Sequence, residues 1–207
     1  MPVLTSDSPA IQHLSKADKY IARTIGHVGQ ISYRRHVDRF AFIVHEIIEQ
    51  MLSAKAGNRI YACLRTLCTG RITPASLLKH TEEEIKGVGT ARSKTRAILG
   101  IAEAVHARKL DLKAFYIQSD EEVIRNLTAL RGIGPWSAKM FLIFCLDRQD
   151  IVPYEDVAFL LGLSWAYGRD IRSKDEVLSV CCKWHPYASI GARYMYYTLD
   201  MGLTKQK

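Results

Sequence analysis

The sequence predicts an all-α protein, and three observations carry that expectation. Apolar residues recur at helical spacing along most of the chain. Ser, Thr or Asp repeatedly stands where a helix would start, in several places with Glu three residues later. Runs of alternating apolar and polar residues, the mark of half-buried strands, are scarce. Together these predict about ten helices joined by short connections.

The elements follow in chain order. DRFAFIVHEIIEQML (38–52) has a helical apolar stripe behind Asp38, a candidate cap. AKAGNRIYACLRTLC (54–68) follows Ser53 in the same way. Thr73-Pro74 reads as cap plus first-turn proline for a short helix to Lys79. Thr81 with Glu84, Ser119 with Glu122 and Ser173 with Glu176 have capping-box spacing. RSKTRAILGIAEAV (92–105) is basic at its start and apolar along one side. DEEVIRNLTAL, PWSAKMFLIFCL, VAFLLGL and DEVLSVCCKW continue the pattern, and the chain closes on a polar TKQK.

Composition narrows the function classes. The 207 residues are 48% hydrophobic and 24% charged, as in a globule with a real core. The longest apolar run, MFLIFCL (140–146), lies between Lys139 and Asp147 and is too short to cross a bilayer. The first residues, MPVLTSDSPA, lack the order of a signal peptide. The expectation is an intracellular protein: cytoplasmic and nucleoid-associated, or nuclear in a eukaryote. Cys63, Cys68, Cys145, Cys181 and Cys182 fit no zinc or iron–sulfur spacing and read as reduced thiols. No side-chain metal site and no cofactor motif is expected. A net charge of +8 favours an anionic partner: nucleic acid, an acidic membrane surface or an acidic protein.

Two Gly-x-Gly turns sit between helices. EEIKGVGTARSK (83–94) and NLTALRGIGPWSAK (126–139) each read helix, Gly-x-Gly, helix, which suggests a reused local structure. Glycine permits a sharp turn, and Val88 or Ile133 can plug inward beneath it. Backbone N–H groups at the next helix start then face outward, ready for a phosphate. The alternative is a plain helix connection without a ligand. The helix-hairpin-helix motif has this form and grips a DNA backbone without reading sequence. Gly87, Gly89, Gly132, Ile133 and Gly134 are the candidate DNA-binding positions, with Arg92, Lys94 and Arg96 adding phosphate contacts unless they form only a solvated face.

Downstream comes LDRQDIVPYEDVAFLLGL. Pro153 sets a bend and Asp156 opens the next helix. A cap alone would explain Asp156. A carboxylate held there also stays ionised, and facing a sugar it can stabilise an oxocarbenium-like transition state or orient water. Glu155 is the adjacent alternative, and successive side chains point apart.

In the order GIGPWSAKMFLIFCLDRQDIVPYED the sequence resembles the helix-hairpin-helix (HhH-GPD) DNA glycosylase superfamily. Within it, the alkylated-purine (3-methyladenine-type) branch is most similar, through Gly-Ile-Gly-x-Trp-Ser-Ala and the spacing of Asp150, Pro153 and Asp156. The resemblance covers nearly the whole chain. Gln50, Ser53, Lys55 and Ala56 match an early Gln-Gln-x-Ser-x-Lys-Ala-Ala pattern, with Met51 and Gly57 as departures. Lys94 falls at the lysine of a Gly-rich helix. Trp184 and Pro186 match a closing Trp-x-Pro-x-Arg, with Ala188 in place of the arginine.

The resemblance implies a monomeric DNA N-glycosylase of base excision repair, without cofactor or iron–sulfur cluster, acting on a damaged base flipped from duplex DNA. Asp156 would carry the chemistry. Lyases of the superfamily place a Schiff-base lysine where Trp136 stands, so the implied enzyme is monofunctional and uses water. Trp136, Tyr187, Met140 and Trp184 are candidate walls for a cationic purine, each with core packing as its other reading. Met51 is a candidate wedge entering the base stack, unless it is an ordinary buried methionine. Gln50 and Ser53 join the DNA-binding set, and carbonyls near Arg131 and Ile133 are candidates for a monovalent cation. The lobes are expected as 1–30 with 151–207, and 31–150 ending in the hairpin at 126–146, with the DNA cleft between them. Two other functions fit the same residues: a glycosylase for a neutral base such as hypoxanthine or uracil, and a catalytically idle DNA-damage sensor.

Overall fold

The computed structural model describes residues 1–205, and its regular secondary structure is almost all helix. Helices α1 (Pro9–Ala17) and α2 (Lys19–Val28) are followed by α3 (Arg39–Glu49), α4 (Ala54–Leu67), α5 (Pro74–Leu77) and α6 (Glu82–Gly87). Then come α7 (Arg92–His106), α8 (Asp120–Thr128), α9 (Pro135–Phe144), α10 (Val157–Tyr167), α11 (Lys174–Cys181) and α12 (Ala188–Asp200). The strands among the described residues are β1 (Val3–Leu4) and β2 (Ile31–Ser32), paired antiparallel.

The capping signals act as the sequence suggests. Asp38 Oδ1 accepts from Ala41 N at 3.1 Å and starts α3. Thr81 and Ser119 form full capping boxes with Glu84 and Glu122. Ser173 accepts from Glu176 N and supplies half of one. Thr73 boxes with Ser76, a partner the Glu/Gln pattern does not include. The helix of the 38–52 segment stops at Glu49 rather than running on: Gln50 leaves the helical region with ψ 127°, and Met51 follows in the left-handed conformation, φ 58°.

The chain divides into two compact units, Met1–Arg35 with Asp147–Lys207, and His36–Leu146. In the first, α10 packs on α12 and α2. Leu14, Ile21, Phe159, Leu163, Trp184 and Tyr194 fill its core. Each fully buried side chain of this size stabilises the fold by about 1.5–3 kcal/mol relative to exposure. Gly162 and Gly191 allow the closest approaches: a Cβ at Gly162 would lie 2.5 Å from the Met195 carbonyl oxygen, and one at Gly191 would lie 2.5 Å from the Trp184 ring. In the second unit, α3 packs against α4, α7 and α9, while α8 and α9 lie together. Helix α9 is buried along most of its length, from Ser137 to Ile143.

Candidate active site and DNA-binding elements

The α8–α9 hairpin belongs to the second unit. Gly132 has φ +86°, where a side chain would be strained, and a Cβ there would fall 2.5 Å from Ala97 Cβ on α7. Glycine therefore gives both the turn and its seat. Ile133 is buried beneath the turn, and its N–H donates to the Leu130 carbonyl at 3.2 Å. Gly134 is the N-cap of α9 and brings no capping side chain. The first turn of this buried helix is left with backbone donors that residue 134 does not cap, which suits an anion. Pro135 sits in that first turn, where its missing N–H matters little. Trp136 follows, half-buried.

The α6–α7 turn is built differently, which corrects the expectation of a reused local structure. Helix α6 runs through Gly87, so this glycine is not in the turn, and Val88 caps its end. The left-handed residue is the second glycine, Gly89, φ +107°. In the α8–α9 turn it is the first, Gly132. Val88 is only partly buried, unlike Ile133. Thr90 closes the turn instead: its Oγ1 donates to the Ile85 carbonyl at 3.0 Å and pairs with Thr95 Oγ1 at 2.6 Å.

The basic cluster after this turn is largely occupied. Arg92 pairs with Glu83 at 2.7 Å and Arg96 with Glu82 at 2.9 Å, both on the surface. Lys94 corrects the expectation of a phosphate contact. Its Nζ donates to the carbonyls of Ile48 at 2.9 Å and Gln50 at 2.5 Å, at the open end of α3. Burial holds its ammonium below the usual lysine pKa. Gln50 Nε2 in turn donates to the Gly132 carbonyl at 2.9 Å and to Ser137 Oγ at 3.2 Å. Met51, the next residue, is 101% exposed, which excludes the ordinary buried methionine. Leu52 beside it is also exposed. Ser53 Oγ caps α4 through Ala56 N at 3.3 Å. Gly57 has a packing reason: a Cβ would meet Glu49 Cγ at 2.6 Å.

Met140 is buried in α9, so of its two readings the structure supports core rather than pocket wall. Among the described residues, His45, Glu46 and Glu49 offer potential metal ligand atoms within 4.8 Å of one another. Hydrogen bonding already employs His45, whose Nε2 pairs with Asn58 Oδ1 at 3.1 Å and approaches Glu49 at 3.6 Å.

In the first unit, Asp156 is buried at the N-cap of α10, and its Oδ1 accepts from Phe159 N at 2.8 Å. The cap reading and the chemical reading are compatible, since the same helix start that is capped also favours the anion. Glu155 is less buried. The loop leading to Asp156 is pinned to the start of α12. Ser189 N donates to the Gln149 carbonyl at 2.9 Å, and Ile151 N donates to Ser189 Oγ at 2.9 Å. Asp150 accepts from Ala188 N at 3.2 Å and pairs with the His185 ring. At the head of the loop, buried Arg193 lies 3.8 Å from the Tyr33 ring centre and 3.6 Å from Asp147.

Trp184 requires a correction. It is 0% exposed, edge-on to Phe159 at 6.3 Å between ring centres, with Gly191 leaving room for its ring. It is a core residue, not a pocket wall. Tyr187 is half-buried, edge-on to the His13 ring at 5.5 Å. Sequence reasoning missed Ser189, Gln149, His185 and Arg193. The motif spacing of Asp150 was a signal for one end of this network, and no local pattern points to the other.

The HhH-GPD superfamily model, described as base excision DNA repair protein, matches residues 44–186. DNA-3-methyladenine glycosylase 1 of Schizosaccharomyces pombe is 28% identical over 203 residues, covering 95% of this chain and 89% of that protein. The crystal structure of a DNA-3-methyladenine glycosidase from Bacillus halodurans aligns with a TM-score of 0.85 at 28% identity, over 98% of this chain and 94% of that one. The S. pombe 3-methyladenine DNA glycosylase in complex with abasic DNA aligns with a TM-score of 0.84 at 27% identity, over 93% and 97% of the two chains.

Proposed function

The chain belongs to the HhH-GPD superfamily of base excision DNA repair proteins, and from that premise we propose that it is a monofunctional DNA glycosylase releasing alkylated, cationic purines from duplex DNA. The observation that carries this reading is the buried carboxylate of Asp156 at the start of α10, in a chain similar along most of its length to 3-methyladenine glycosylases.

The reaction asks little of the protein beyond charge and position. The bond between sugar C1′ and the base nitrogen breaks, and its electron pair neutralises the cationic purine. Such a base leaves without a general acid. The sugar becomes an oxocarbenium-like cation, which the Asp156 carboxylate stabilises. Water adds its oxygen to C1′ and gives up a proton, with Asp156 as the acceptor or orienting group. Indole cannot form a Schiff base, so with Trp136 in the lysine's slot the abasic strand stays intact. The Trp136 face attracts a cationic ring by roughly 0.5–2 kcal/mol. The hairpin backbone around Gly132 and Gly134 holds a phosphate, and exposed Met51 fills the gap left by the flipped base.

The test uses duplex DNA treated with dimethyl sulfate. The wild-type protein should release methylated purines, read by chromatography, and leave sites that nick only after alkali. Nicks without alkali would overturn the absence of lyase activity. Binding to damaged DNA with no release of any base would replace the enzyme with a sensor.

A further inference from the structure

We propose that Lys94 and Gln50 are positioning residues that brace the Met51 wedge against the DNA-gripping hairpin. Helix α3 ends at Glu49, where Gln50 N still donates to the Glu46 carbonyl and Leu52 N to the Glu49 carbonyl, and the other carbonyls of a helix's last turn lack intrahelical donors. The Lys94 ammonium, reaching over from α7, takes two carbonyls there, those of Ile48 and Gln50. The second is the carbonyl of the residue immediately before Met51. The Gln50 side chain takes the Gly132 carbonyl and Ser137 Oγ, one on each side of the α9 start. The backbone on the near side of Met51 is thereby tied to α7 and to the hairpin.

Met51 needs such bracing. It stands fully exposed in a left-handed conformation, which is unfavourable for a side-chain-bearing residue. An exposed, unbraced loop would relax to other conformations, and an apolar wedge that moves freely inserts poorly. Lys94 is partly buried to make these bonds, and burial lowers its pKa. Its two acceptors are backbone oxygens rather than a carboxylate. A cation used this way serves the shape of a loop, not the charge of a surface.

This inference rests on the glycosylase reading, and its test separates the two. A wedge matters when a paired base must be forced out, and less when the base is already unpaired. Release of 7-methylguanine is timed from two duplexes, one with cytosine opposite and one with a tetrahydrofuran abasic analogue opposite. The readout is the ratio of the paired to the unpaired rate under single turnover. Lys94→Met and Gln50→Ala should each lower that ratio at least fivefold, and Lys94→Arg, which can still donate to two carbonyls, should restore most of it. Met51→Ala should lower it as well, and Met51→Ala with Lys94→Met should fall no further than Met51→Ala alone. An unchanged ratio, an equal loss on both substrates, or independent losses in the double variant would overturn the bracing role. If Lys94→Met does not fold, as judged by its thermal transition, the Gln50→Ala ratio decides. A wild-type protein that releases no base from either duplex defeats the glycosylase reading, and the bracing role with it.

Discussion

Gly132 lies against Ala97 so closely that position 132 of the hairpin turn has no room for a side chain. A Cβ at position 132 would sit 2.5 Å from the Ala97 methyl, at a φ of +86°. Gly132→Ala should therefore destabilise the protein by about 2–4 kcal/mol, combining overpacking with left-handed strain. Ala97→Gly placed behind it should recover part of that loss, because it removes the clash and not the strain. Chemical denaturation of the three proteins checks this. DNA affinity should fall with Gly132→Ala even at temperatures where the variant stays folded.

Asp156→Asn separates cap from catalyst. Asparagine caps a helix about as well as aspartate, so stability should change by only about 0.5 kcal/mol. The negative charge is lost, and base release should slow by roughly 10²-fold or more. Alkali-dependent nicking and a thermal transition on the same preparation measure both. A variant that keeps wild-type release would remove Asp156 from the mechanism.

Trp136→Ala should weaken handling of a cationic purine by roughly 2–30-fold in kcat/KM, the range expected from a lost cation–π contact. An uncharged alkyl-purine should lose less. Equal losses on charged and neutral bases would assign Trp136 to packing alone.

Met51→Gly should move stability and activity in opposite directions. Glycine accepts the left-handed backbone, so stability should rise by up to about 1 kcal/mol. The proposed wedge is gone, so release of a paired base should fall. Urea midpoints and single-turnover rates give the two numbers.

Alkaline pH should unfold the protein through its buried and half-buried tyrosines. Burial pushes Tyr194 from about 10 up to about 12, and its hydroxyl donates to the Gly29 carbonyl at 3.2 Å. Tyr33 and Tyr61 are raised for the same reason, and Tyr167 is raised by burial and by the hydrogen bond its hydroxyl donates to Asp18. A raised folded pKa means this stability is whole below pH 10 and is lost as pH climbs towards 12. Thermal midpoints measured from pH 8 to 11.5 should hold level and then drop above 10. Tyr194→Phe should flatten that drop.

Much of the site could be read in the chain because its signals are local. The caps at Asp38, Ser53 and Asp156 each join atoms three residues apart, and such pairs meet whenever the helix forms. Asp156 as a helix-starting carboxylate and Gly-Ile-Gly as a turn needed nothing more. The likeness of the two Gly-x-Gly turns misled because identical residues were placed in different frames: φ is positive at Gly89, the second glycine, and at Gly132, the first. Where a helix stops is decided by what its last carbonyls meet, and the spacing of glycines does not contain that.

The sequence by itself determined an all-helical chain, the helix starts, and which side chains carry charge at them. Tertiary structure alone decided what several of those side chains do. Lys94 meets carbonyls 44 and 46 residues away, and Ser189 meets Ile151 across 38. Trp184 became core because Gly191 makes room for its ring, and Met51 became an exposed projection because α3 ends two residues before it. The physical reason is range. Periodicity and capping act within one helical turn, whereas burial and long-range hydrogen bonds depend on which surfaces pack together.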